Sequence, residues 1–126
     1  GARGVALGAG GILVCNETVS PVALLRELLH FFGAESCGKC TPCRAGTQEA
    51  EAILARLAAG HGRPGDGAEL HRLAEVLQTG SFCGLGQSAP NPVVSTLRFF
   101  RSEYESRLKP IETYVPPAIA AGTPST

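Results

Sequence analysis

The chain has 126 residues, eleven Lys plus Arg against eleven Asp plus Glu, and a formal net charge of zero. That length suits one domain with a modest core. The charge balance offers no basic surface for nucleic acid or an anionic membrane. No apolar run approaches the ~20 residues of a membrane span, because Arg26, Glu27 and His30 interrupt the longest one. The N-terminus carries no charged start followed by an apolar stretch and a small-residue cleavage site, so a secretory signal is not expected. A cytoplasmic location without direct membrane insertion is expected.

In chain order, residues 1–18 are rich in Gly and Ala and contain Ile12-Leu13-Val14, at best a short strand. They are expected to be a lead-in segment, the end of a preceding domain. A helical domain is expected over 19–109 and an extended or disordered tail over 110–126, where Pro116 and Pro117 follow Pro110. Ser20 and Pro21 suit the cap and first turn of a first helix that Gly33 can close. Its apolar face is Val22, Leu25, Leu28, Leu29 and Phe32. A loop from Glu35 to Cys43 follows, and Pro42 can begin a second helix with Ile53, Leu54 and Leu57 inward, ending near Gly60. After the break HGRPGDG, Asp66 and Glu69 have the spacing of a capping box, opening a third helix with Leu70, Leu73, Ala74 and Leu77. The loop SFCGLGQSAPNP then leads through Asn91 and Pro92 into a fourth helix to about Leu108. Its inner face would be Val93, Val94, Leu97, Phe100 and Tyr104. The expected fold class is all-α, a small four-helix bundle-like domain whose two cysteine-bearing loops lie at helix ends and hold a [4Fe–4S] cluster.

That cluster is the reading of the cysteines. Of five, Cys37, Cys40 and Cys43 form C-x2-C-x2-C, and Cys83 stands alone after 39 intervening residues. An odd, clustered set argues against a secreted disulfide framework and, in a reducing compartment, for metal. A cubane has four iron corners, each taking one thiolate. Three cysteines two residues apart can wrap one side, and the fourth must return from another segment. The hairpin of helices two and three brings Cys83 back. A bacterial ferredoxin run would place another Cys where Thr47 stands.

Gly38 and Gly84 allow close backbone approach to the cluster. Lys39 and Arg44 would offset its negative charge, and Ser36 and Thr41 offer further hydrogen bonds. Structural zinc is the alternative, giving a helical interaction module without redox role, but zinc sites usually pair two C-x2-4-C knuckles. A C-x-x-C redox pair lacks its βαβ surroundings. Cys15, after an apolar run and away from the motif, reads as a buried small hydrophobe.

Other features carry no chemistry. LGAGG falls short of a dinucleotide fingerprint, since position 13 is Leu and no strand precedes it. His30, His61 and His71 lack ligand spacing. His30 suits a helix C-terminus, and the other two are expected on the surface. Glu49 and Glu51 with Arg56 look like a solvated helix face, and no residue set suggests hydrolysis.

The stretch ESCGKCTPCRAGT at 35–47 resembles the cluster-binding signature of the NADH-dehydrogenase flavoprotein family. SFCGLGQSAPNP at 81–92 resembles its fourth-ligand loop, and LRFFRSEY at 97–104 and LGAGG at 7–11 also agree. The family includes the 51 kDa subunit of respiratory complex I and the diaphorase subunits of NAD-linked formate dehydrogenases and hydrogenases. The second loop resembles the formate dehydrogenase and hydrogenase branch somewhat more than complex I. The resemblance implies an oxidoreductase role, in which the domain relays electrons between an FMN and NAD(H) site and further redox centres. FMN and NAD(H) bind N-terminal domains in that family, so no residue here is assigned to them. Other redox subunits or domains of an NAD-linked complex are the implied partners, with no nucleic acid and no catalytic residue in this chain.

Overall fold

The computed structural model describes residues 10–109. The expected tail at 110–126 and the LGA of the lead-in motif lie outside these residues. Within them are six helices: α1 (Pro21–Ala34), α2 (Thr41–Ala58), α3 (Asp66–Gly80), α4 (Gly84–Ser88), α5 (Asn91–Phe99) and α6 (Arg101–Glu105). The all-α class is borne out, and no strand forms among the described residues: Ile12, Leu13 and Val14 are irregular and exposed.

α1 begins as expected, with the Ser20 hydroxyl accepting the Ala23 amide at 3.3 Å and Pro21 in the first turn. Gly33 does not end it. The helix runs one residue further to a cap at Glu35. Val22, Leu25 and Leu29 are buried, whereas Leu28 is exposed at the stripe's edge.

α1 and α2 run antiparallel. His30 Nδ1 meets Glu51 Oε1 at 3.0 Å, and a Cβ on Gly33 would stand 3.6 Å from Thr47 Oγ1. Glu51 is therefore partly covered by an α1 side chain and not simply solvated.

α2 and α3 form the second antiparallel pair, pinned at both ends. At one end Arg56 grips the Asp66 carboxylate, with Nε 3.0 Å from Oδ2. At the other, a Cβ on Gly80 would lie 3.0 Å from Pro42 Cγ. Asp66 is not the capping residue the spacing predicts. Gly65, at φ +96°, occupies the cap, and the Asp66 carboxylate instead takes Arg56 and the Arg63 amide at 2.9 Å. The ion pair with an α2 residue outcompetes a local cap, since a charge-assisted pair is the stronger contact.

The expected fourth helix is three pieces. α4 forms inside the cysteine loop. α5 starts with Asn91 already helical, its side chain accepting from Gln78 Nε2 at 3.1 Å. The chain then breaks at Phe100 (φ −126°, ψ 37°) before α6. The break turns Phe100 outward, so it is not on the inner face, while Tyr104 remains buried and hydrogen-bonds Thr96 Oγ1 at 2.7 Å.

The core gathers Val22, Leu25 and Leu29 with Ile53, Leu54, Leu57, Leu70, Val93 and Tyr104. Each fully buried aliphatic side chain contributes about 1.5–3 kcal/mol. The end of α6 is tied back by Gly62 N to Arg107 O (3.0 Å), Lys109 N to Gly62 O (2.8 Å) and Arg107 Nη2 to Ser20 Oγ (2.9 Å). No helix among the described residues is long and apolar enough to cross a membrane.

Candidate metal centre

The antiparallel α2–α3 pair sets where the cysteines fall. Because Pro42 packs against Gly80, the chain leaving α3 must arrive beside the first turn of α2. Cys40 is the N-cap of α2 and Cys43 lies in its first turn. Cys83 is the residue before α4. Cys43 thus belongs to a helix, not to the loop expected to run through it, since the helix already begins at Thr41 with Pro42 in its first turn. Cys40 and Cys43 are buried, and Cys37 and Cys83 are exposed.

The two segments touch. The neighbouring backbone of Phe82 and of Cys43 holds the Cys40 thiol below its ordinary pKa. A lowered thiol pKa favours the thiolate, the form that binds metal. The buried Gly86 lies so close to Cys43 that a Cβ would come 3.0 Å from the Cys43 Cβ.

The residues around the triple motif organise it. Gly38, at φ +73°, takes a conformation that L side chains rarely adopt. Its amide donates to Ser36 Oγ at 3.3 Å, and that hydroxyl lies 3.4 Å from Cys43 Sγ. Arg44 Nη1 donates to the Gly38 carbonyl at 2.5 Å, and Nη2 reaches Thr41 Oγ1 at 3.5 Å. Arg44 therefore braces the loop as well as supplying positive charge. Lys39 is exposed beside it. Nothing lies within 4 Å of a Cβ at Gly38 or Gly84, so protein packing demands neither glycine.

One sequence reading changes here, and one residue is added. Cys15 is exposed and not buried, as are residues 10–19 throughout. His30 is engaged by Glu51 and His71 by Glu75 at 3.6 Å, so each has a carboxylate neighbour and neither joins the cysteines. Ser81, which the sequence alone does not single out, is buried at the junction of both cysteine segments, and its Oγ has no hydrogen-bond partner among the described residues. Its place immediately before the Phe-Cys of the second motif is the one signal the sequence offers.

No three His, Cys, Asp or Glu side chains are gathered around one point among the described residues, as donors to a single ion would be. Thiolates on a cubane occupy its outer corners and stand farther apart than the donors of one ion. The donor set fits the cluster: four cysteines from two adjoining segments, one thiol below its ordinary pKa, and an orphaned hydroxyl buried against Gly86. An open groove elsewhere, among Leu57, Val94, Leu97 and Leu108, includes none of the cysteines.

Comparison with known proteins agrees. The family model of the NADH-ubiquinone oxidoreductase-F iron-sulfur binding region matches residues 23–107. The chain is 40% identical over 102 residues to the NADP-reducing hydrogenase subunit HndC of Solidesulfovibrio fructosivorans, covering 81% of this chain and 21% of that protein. It is 39% identical over 108 residues to the F subunit of the NADH-quinone oxidoreductase of Streptomyces coelicolor, covering 86% and 24%. These two values do not separate the hydrogenase from the complex I branch. A chain of an NAD+-reducing [NiFe]-hydrogenase in the H2-reduced state superposes with a TM-score of 0.73 at 38% identity, covering 79% of this chain and 17% of that one. The chain thus spans about a fifth to a quarter of the length of these curated relatives. It belongs to the NADH-ubiquinone oxidoreductase-F iron-sulfur binding region family, a 4Fe–4S family of oxidoreductase subunits.

Proposed function

We propose that this domain relays electrons through one [4Fe–4S] cluster held by Cys37, Cys40, Cys43 and Cys83, between an FMN and NADH site outside the chain and further redox centres of an NAD-linked complex. When bound, such a cluster takes up and releases one electron at a time. The observation that carries the reading is the meeting of the two cysteine segments, where Gly86, in the helix after Cys83, lies against the Cys43 side chain.

The residues have distinct tasks. Cys40 and Cys43 supply two buried thiolates at the start of α2, where the helix N-terminus favours negative charge. Cys37 and Cys83 close the site from its two exposed sides. Arg44 and Ser36 hold the loop between the first two ligands, and Lys39 adds positive charge. The names of the relatives, a subunit of an NADP-reducing hydrogenase and one of an NADH-quinone oxidoreductase, support partnership with other redox subunits.

The test is reduction by NADH in the full-length protein with its FMN. The cluster EPR signal should appear within the turnover time and disappear on adding the acceptor. A signal that develops only much more slowly than turnover overturns the relay. A colourless, zinc-containing protein supports the interaction-module reading instead.

A further inference from the structure

Ser81 caps the end of α3 with its backbone fully engaged. Its amide donates to the Leu77 carbonyl at 3.2 Å, and its carbonyl accepts Gln87 Nε2 at 3.0 Å. Only the side chain lacks a partner: the residue is 5% exposed, and its Oγ is buried and unbonded among the described residues. A buried hydroxyl left unsatisfied is destabilising, because it forfeits its hydrogen bond to water without replacement. The buried Thr47 shows the usual remedy, since its Oγ1 donates to the Cys43 carbonyl at 2.7 Å.

The hydroxyl of Ser81 lies against Gly86, where a Cβ would collide with Oγ and come 3.0 Å from the Cys43 Cβ. Gly86, three residues after Cys83, thus neighbours both the Ser81 hydroxyl and the Cys43 side chain. Ser36 approaches Cys43 Sγ at 3.4 Å. An acceptor with no proton of its own, at the meeting point of two cysteine segments, is sulfur.

We infer that Ser81 donates a hydrogen bond from its hydroxyl to cluster sulfur at the Cys43 corner and thereby raises the reduction potential. The inference rests on the cluster reading above. Its physical basis is that reduction adds negative charge, which a donor to sulfur stabilises more in the reduced than in the oxidised state.

The test uses the full-length protein, prepared anaerobically, with Ser81→Ala. Iron and sulfide should remain at parental levels. At the parent's midpoint poise, the ratio of reduced to oxidised cluster should fall about tenfold, which is ~59 mV for one electron. Electron–nuclear double resonance before and after transfer to D2O should show one exchangeable proton coupling fewer than in the parent. A variant that keeps its iron with unchanged potential and couplings overturns the inference. Should the alanine variant lose iron, Ser81→Thr and Ser81→Val, alike in shape, isolate the hydroxyl: a higher potential for Thr supports it and equal potentials overturn it. A parent protein without iron or sulfide would instead defeat the cluster reading itself.

Discussion

Gly86 and Cys43 are in close contact although 42 residues intervene: a side-chain carbon on the glycine would stand 3.0 Å from the Cys43 Cβ and 2.6 Å from the Ser81 Cβ. This contact seats the Cys83 segment on the first turn of α2. The absence of a side chain at 86 is thus a condition for bringing the fourth cysteine to the other three.

Gly86→Ala should push the two segments apart. Overpacking in a buried site costs about 1–3 kcal/mol, and here the Ser81 side chain and Cys43 have little room to yield. Chemical denaturation should show that loss, and iron per chain should fall below the parental value. Unchanged iron content would mean that the segments meet without this contact.

Asp66→Asn tests the pin at the other end of the α2–α3 pair. Burial pushes the Asp66 carboxyl up, but the hydrogen bonds from the Arg56 guanidinium and the Arg63 amide outweigh it and hold the pKa below its ordinary value. The pair therefore adds stability that is complete above the ordinary carboxylate pKa of about 4 and is lost as pH falls through the lower folded value. With Asp66 buried and Arg56 partly exposed, the variant should lose about 1–3 kcal/mol at neutral pH. The difference from the parent should shrink in acid, which denaturation of the metal-free chain at pH 7 and pH 3 measures.

Arg44→Ala should loosen the Cys37–Cys40 loop without unfolding the helices. Arg44 is exposed, so its bond to the Gly38 carbonyl contributes about 1 kcal/mol or less to stability. Thermal melting should barely change, while loss of cluster absorbance to an iron chelator should quicken by about fivefold, the kinetic counterpart of ~1 kcal/mol. Arg44→Lys should not restore the parental rate, because a single ammonium cannot reach Gly38 and Thr41 together.

Much of this architecture is legible from short-range chemistry. Ser20 with Pro21, and Pro42 before an apolar stripe, announce helix starts because caps and first-turn prolines act within one turn. The three-plus-one cysteine spacing implies a returning segment, and the α2–α3 hairpin supplies one. Long-range competition is harder to see. Asp66 has the spacing of a cap, yet Arg56, ten residues earlier in the chain, claims its carboxylate. Phe100 fits a helical stripe, but the backbone breaks at that residue and turns its ring outward. Cys15 follows an apolar run and is expected inside, but an apolar run is buried only if an element packs on it. Ser81 escapes notice because a serine gains meaning only once its burial and missing partner are known.

The central claim is that Cys83 joins Cys37, Cys40 and Cys43 on one cubane. Its most direct test is iron and acid-labile sulfide analysis, with EPR after reduction, on anaerobically prepared parent and Cys83→Ser proteins. The parent should hold about four irons and about four sulfides in one cluster, and the variant should lose that content or its parental EPR signal. One zinc and no sulfide in the parent, or a variant with parental iron, sulfide and EPR signal, would contradict it.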